Sequence, residues 1–171
     1  MSGPPRWQSA LGLEPPGVAA PPWSTRHWFN HHGAALQPEA MRGRVVALHS
    51  FQMLCPGCVQ HGLPQAQRLR QAFDRSELEV LGLHTVFEHH AAMTPVSLQA
   101  FLHEYRIDFP VGVDAHEGDD PIPVTMRRYG WQGTPSLVLI DRRGFVRRQV
   151  FGVEDDLRLG AAVAALLDEP A

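Results

Sequence analysis

The chain has 171 residues, 44% of them hydrophobic, and a formal net charge of -3, which is apolar material for one ordinary domain burying roughly two thirds of its unfolded surface. A slightly acidic chain without a basic stripe is not built as a general nucleic-acid binder, no apolar run approaches the ~20 residues of a membrane span, and all basic residues are Arg, so lysine chemistry is excluded. The two cysteines cannot form a disulfide scaffold, and a close pair points to redox or metal chemistry.

In chain order, residues 1–22 hold Pro4, Pro5, Pro15, Pro16, Pro21 and Pro22 and read as a Pro-rich, partly extended arm ahead of a single domain over 23–171. The first twenty residues show neither a continuous apolar core nor a small-residue cleavage site, so they are not read as a secretory signal and a cytoplasmic protein is expected. Trp23 to Phe29 fits an edge strand or an aromatic plug, with Trp28 and Phe29 in the core. Pro38 to Arg42 is a single helical turn ended by Gly43. Val45 to Phe51 is a buried strand that runs into Cys55-Pro56-Gly57-Cys58. From Val59 to Phe73, apolar residues at Val59, Leu63, Ala66, Leu69 and Phe73 predict an amphipathic helix kinked by Pro64.

Glu77 to His84 is a second strand, alternating in its first half and apolar in its second. Pro95 to Tyr105, capped by Thr94, is a crossover helix. A short strand, Phe109 to Val113, precedes a polar loop over Asp114 to Asp120 and a brief helix over Ile122 to Tyr129. Ser136–Ile140 and Phe145–Phe151 form an antiparallel hairpin through Asp141-Arg142-Arg143-Gly144. Asp155 to Leu167 is a C-terminal amphipathic helix with acidic residues in its first turn. The sum is an α/β fold with helices flanking a sheet.

The chemistry centres on the cysteine turn. With Cys55 as N-cap and Pro56 at the first helical position, the N–H groups of Gly57 and Cys58 face the Cys55 sulfur. Helix N-termini favour anions and lower a thiol pKa from ~8.5 to roughly 3.5–7.5. Cys55 is then the nucleophile and Cys58 the resolving thiol.

Gly43-Arg44-Val45-Val46, Cys55-Pro56-Gly57-Cys58 and Gly133-Thr134-Pro135 together resemble the thioredoxin fold, specifically its TlpA-like thiol–disulfide oxidoreductase branch, over about residues 28–168. The resemblance implies a central mixed sheet, a helix–strand insertion after the first βαβ unit, and a Cys55–Cys58 dithiol/disulfide couple that reduces protein disulfides with an unidentified redox partner. It needs no cofactor or metal. It also implies a cis Pro135 facing the sulfurs, with Phe51, Pro56, Gly57, Trp131, Gln132 and Thr134 forming the active-site loop and substrate groove. Leu54 replaces the family's aromatic residue before the first Cys, and His49 stands where thioredoxin has a buried acid. Strand alternation puts His49 on one face with Val45, Ala47 and Phe51, where burial keeps the imidazole neutral as a proton acceptor for Cys58.

Two other chemistries compete. Cys55 and Cys58 with two of His84, His89 and His90 would make a zinc or copper site of a metallochaperone-like protein. A peroxidase of the peroxiredoxin type shares the fold but uses a Thr three residues before its Cys, where this chain has Gln52. His84, Glu88, His89 and His90 fall at the sheet edge where open α/β sheets bind ligands and are candidates to flank Cys55. His27, His31, His32, His61, His103 and His116 read as surface or structural residues.

Overall fold

The structure, a computed structural model, describes residues 6–33 and 36–171. Its frame is a seven-stranded mixed sheet of β1 (Val18–Ala19), β2 (Thr25–Phe29), β3 (Val45–Phe51), β4 (Leu78–His84), β5 (Val111–Asp114), β6 (Ser136–Ile140) and β7 (Phe145–Phe151), in the spatial order β1-β7-β6-β3-β4-β5-β2. The helices are α1 (Arg6–Ala10), α2 (Leu63–Ala72), α3 (Pro95–Glu104), α4 (Val124–Tyr129) and α5 (Asp156–Asp168).

β3 is the central strand because it is apolar on both faces and every residue of it is buried. It pairs in parallel with β4 and antiparallel with β6. Val45, Ala47 and Phe51 join Leu63, Ala66 and Leu69 of α2, Leu98 of α3 and Leu159 of α5 in one core. Val46 and Leu48 point the other way, into a second core with Met126 and Tyr129 of α4, Trp23 and Trp28. This alternation at a period of two, covered on both sides, requires a strand with few polar residues, and it makes His49 conspicuous.

Local signals set the ends of the elements. The Thr94 hydroxyl accepts the Ser97 N–H at 3.2 Å and opens α3, and the Asp155 carboxylate accepts the Arg158 N–H at 2.9 Å and opens α5. Gly130, at φ 64°, ends α4 in the left-handed region that glycine adopts without steric cost. In the hairpin, Asp141 accepts the N–H groups of Arg143 and Phe145, both at 3.0 Å, and Gly144 at φ 88° completes the turn. α3 and β5 supply the helix–strand pair expected between the first βαβ unit and the hairpin.

One segment takes the first of the two forms the sequence allowed, and two others differ from the sequence reading. First, Thr25–Phe29 is a strand, antiparallel on β5 at the sheet edge, with Trp28 buried and Phe29 half-buried. Second, the helix after Cys55 is not one α-helix kinked at Pro64. It is helical from Pro56, passes through a π-helical turn over Cys58–Gly62 in which the Leu63 N–H donates to the Cys58 carbonyl, and continues as α2. Pro64 then sits in the first turn of α2, and the wider turn upstream absorbs its missing donor.

Third, the described part of the Pro-rich segment is ordered against the sheet; its first five residues lie outside the described residues. α1 packs near the C-terminus, Gln8 Nε2 donating to Glu169 at 3.0 Å. β1 adds to the edge of β7, Leu13 and Ala20 are buried, and the Glu14 N–H donates to the Arg147 carbonyl at 2.7 Å. Arg147 itself is buried, with its guanidinium on Asp141 at 3.2 Å, Glu169 at 2.5 Å and the Glu14 carbonyl at 2.6 Å.

Candidate active site

β3 ends at Phe51, residues 52–54 turn, and the helix begins at Pro56, so Cys55 occupies the N-cap. Its carbonyl accepts the Val59 N–H at 3.1 Å, and its sulfur receives the Cys58 N–H at 3.2 Å. This is the geometry in which orphan helix donors and the positive end of the macrodipole stabilise a thiolate. Cys55 and Cys58 are joined in a disulfide with Cα atoms 5.2 Å apart. The two sulfurs are not equivalent. Cys55 is half-buried, whereas Cys58 has no exposed surface, so an incoming molecule reaches the first and not the second.

The Thr134–Pro135 peptide bond is cis, and the Thr134 carbonyl oxygen lies 3.4 Å from the Cys55 sulfur. Pro135 presses on the cysteine helix: a Cβ placed on Gly57 would lie 3.3 Å from its ring, and one on Gly62 3.1 Å from it. Gly57 is therefore glycine for clearance rather than for backbone freedom, since its φ of -63° is open to any residue.

His49 is 3% exposed, its Nε2 has no hydrogen-bond partner, and burial pushes its pKa down to about 4. It borders a small space of about 10 Å³ shared with Gly62, Gln65 and Pro135, about the volume one water needs. It thus lies under the same stretch of helix as Cys58, on the face of β3 that carries Ala47 and Phe51.

The other expected site residues scatter. Pro56 is exposed, Gly57 and Thr134 are half-buried and Gln132 is exposed at the rim. Phe51 is not in a groove: it is 1% exposed, packed between His84 and Phe101 at ring distances of 5.2 and 6.3 Å. Trp131 does not offer contact area either, because it is 6% exposed and turned against Tyr129 at 5.0 Å. The left-handed cap at Gly130 reverses the chain there and carries the indole inward.

His84 does not face solvent beside the sulfur. It is buried, its pKa is likewise pushed down to about 4 by burial, and its Nε2 accepts the Met53 N–H. His89 and His90 are exposed, and His90 Nε2 lies 3.1 Å from the Pro121 carbonyl. Among the described residues no three His, Cys, Asp or Glu side chains converge as metal ligands.

Sequence reasoning passed over Gln52 except as a missing Thr. It is 1% exposed, and its side chain bridges to Phe87 and Glu88. A Gln in an otherwise apolar approach to the cysteines was the available signal.

Exchange of a disulfide between an accessible sulfur and a buried one, at a helix N-terminus on this sheet, is the chemistry of the thioredoxin-like thiol–disulfide oxidoreductases, and this chain is one of them. It belongs to the AhpC/TSA family, whose model matches residues 16–149. Among solved structures it is similar to a thioredoxin-like superfamily protein at 54% identity, covering 91% of this chain and 99% of the other with a TM-score of 0.87. It is also similar to a thiol-disulfide isomerase from Corynebacterium glutamicum at 47% identity, covering 88% and 98% with a TM-score of 0.83. StoA from Bacillus subtilis, at 19% identity, 86% and 98% coverage and a TM-score of 0.62, shares the fold. No curated protein matches at a significant level. Among the described residues no helix is long and apolar enough to cross a membrane.

Proposed function

We propose that the protein reduces disulfides in other proteins through Cys55 and Cys58, as a TlpA-like member of its family. The observation that carries this is the asymmetry of the two sulfurs, one open at the N-cap and one fully buried. The Cys55 thiolate attacks a substrate disulfide, forming a mixed disulfide and expelling one substrate sulfur as a thiolate that takes up a proton. Cys58, its proton accepted by His49, then attacks the Cys55 sulfur. The Cys55–Cys58 disulfide forms, the second substrate thiol leaves, and two electrons have passed to the substrate. An unidentified redox partner restores the dithiol.

Protein substrates are favoured by the surface around the sulfur, where Leu54, Phe151 and Val153 are exposed. Phe151 lies against Gly133, beside the backbone that an extended peptide would pair with. The relative described as a thiol-disulfide isomerase agrees with this. The TlpA-like assignment rests on Cys55-Pro56-Gly57-Cys58, on Thr134-Pro135 and on the α3–β5 insertion. A cytoplasmic setting fits the reducing direction, because thiol pools there keep dithiols reduced. A peroxidase reading has no comparable support: Gln52, at the position of the peroxiredoxin Thr, bonds to Phe87 and Glu88.

Trapping tests the proposal. Cys58→Ser is expected to accumulate mixed disulfides with partner proteins and Cys55→Ser is not. Equal trapping by both, or a wild type unable to reduce a model protein disulfide, would overturn it.

A further inference from the structure

β3 and β4 separate just before the cysteine turn, and from there side chains take over the work of the ladder. The last backbone bond between them runs from the Thr85 N–H to the Phe51 carbonyl at 3.0 Å. Beyond it, the Met53 N–H donates to His84 Nε2 at 3.4 Å. The Phe87 N–H donates to Gln52 Oε1 at 3.2 Å, and Gln52 Nε2 donates to Glu88 at 3.4 Å. The Gln52 carbonyl in turn accepts the Cys55 N–H at 3.2 Å.

Gln52 and His84 are each 1% exposed. Burying an amide and an imidazole costs free energy that an apolar residue of similar volume would not incur, unless each polar group finds its partner. Packing alone therefore gives no reason for Gln and His at these positions. Both side chains bond to the short segment that sets where Cys55 sits, or to the loop alongside it.

We propose that Gln52 and His84 are positioning residues for Cys55. Together they clamp residues 52–55 against residues 84–88, so that the Cys55 sulfur stays at the N-cap, 3.2 Å from the Cys58 nitrogen. Hydrogen-bond stabilisation of an anion falls steeply with distance and angle. A turn free to slide would leave the thiolate less well held and raise the Cys55 pKa. His84 must present an unprotonated Nε2 to act as acceptor, which assigns its proton to Nδ1. Glu88 is exposed and serves only as the outer anchor of Gln52. The inference rests on Cys55 being the attacking thiolate.

The test is the pH profile of iodoacetamide alkylation at Cys55 in the reduced protein, with the modified site read by mass spectrometry. Gln52→Met keeps the volume and removes both side-chain bonds, and His84→Phe keeps a ring without the acceptor. In each, the midpoint is expected to move up so that alkylation below it slows about tenfold, the equivalent of one pKa unit, with the high-pH plateau unchanged. Glu88→Gln removes the charge and keeps an acceptor, whereas Glu88→Ala removes both, so slower alkylation of Ala than of Gln by about threefold isolates the bond from the charge.

The exposed Glu88 pair keeps the test available should a core variant fail to fold. Profiles of folded variants that superimpose on the wild type would overturn the clamp. A wild type in which Cys55 titrates like an ordinary thiol, or in which Cys58 alkylates first, would instead overturn the assignment of Cys55 as nucleophile.

Discussion

Acidification from pH 7 to pH 5 should destabilise the oxidised protein through two buried imidazoles. His49 and His84 have their pKa values lowered from the ordinary 6.5 to about 4 by burial. A base whose folded pKa is depressed contributes stability that is present above the unfolded value and is lost as pH falls toward the folded one. In the window between about pH 6.5 and pH 4 the unfolded chain binds protons that the native protein refuses. With those values, each histidine costs almost nothing at pH 7 and about 2 kcal/mol at pH 5 relative to its fully neutral state. The two together remove about 4 kcal/mol, a large part of the ~5–15 kcal/mol typical of a native domain. Urea unfolding at both pH values gives the loss for wild type, His49→Gln and His84→Gln. Subtracting variant from wild type cancels every other titrating group, including Asp114, whose pKa is moved the opposite way by burial. Each variant should lose about 2 kcal/mol less than wild type across the interval. A difference under about 0.5 kcal/mol for either would show that its imidazole is solvated in the native state, and the reasoning from burial would fall.

Stopped-flow exchange with a model disulfide should show His49→Gln slowing release of the mixed disulfide about tenfold or more below about pH 8, while first attack by Cys55 changes little. Equal slowing of both steps, or of neither, assigns His49 to structure. Arg147→Met should cost about 3 kcal/mol in urea unfolding, because it removes the buried guanidinium from the buried Asp141 carboxylate and leaves it only the exposed Arg143, at 3.7 Å; a loss under about 1 kcal/mol would mean that water reaches the pair.

Much of the fold could be read before any coordinates, and for identifiable reasons. β3 and β6 stood out because a strand covered on both faces must be nearly all apolar, and β7 because Asp141 and Gly144 supply the polar and left-handed residues a tight connection needs. Thr94 announced α3 through the oxygen it offers to the first turn, and α5 showed itself by its apolar spacing and the acidic residues at its start. The sulfurs and Pro135 were legible from spacing together with a family pattern, which no local rule would have supplied.

What escaped carried no periodic signal. β1 is two exposed residues long, too short to alternate, and its pairing depends on a partner more than a hundred residues away. Trp131 was placed at the rim by its proximity to Pro135, yet the cap at Gly130 decides where its ring goes. Gln52 and His84 act through single long-range bonds, and a lone polar residue looks the same in sequence whether or not it finds a partner.

The π-helical turn over Cys58–Gly62 also has a consequence for how this site can be altered. In an unbroken α-helix the residue stacked one turn before Leu63 would be Val59; here the Cys58 carbonyl takes the Leu63 N–H instead. Cys58 joins Leu63, Ala66 and Leu69 in one buried column. The extra residue works as a phase shifter, offsetting the redox end of the helix from its anchoring end by about 100°. Gln60 and His61 are exposed on that turn, yet removing either one would re-time the whole cysteine end against the core. At this site the number of residues between the resolving cysteine and the core is a control separate from their chemistry.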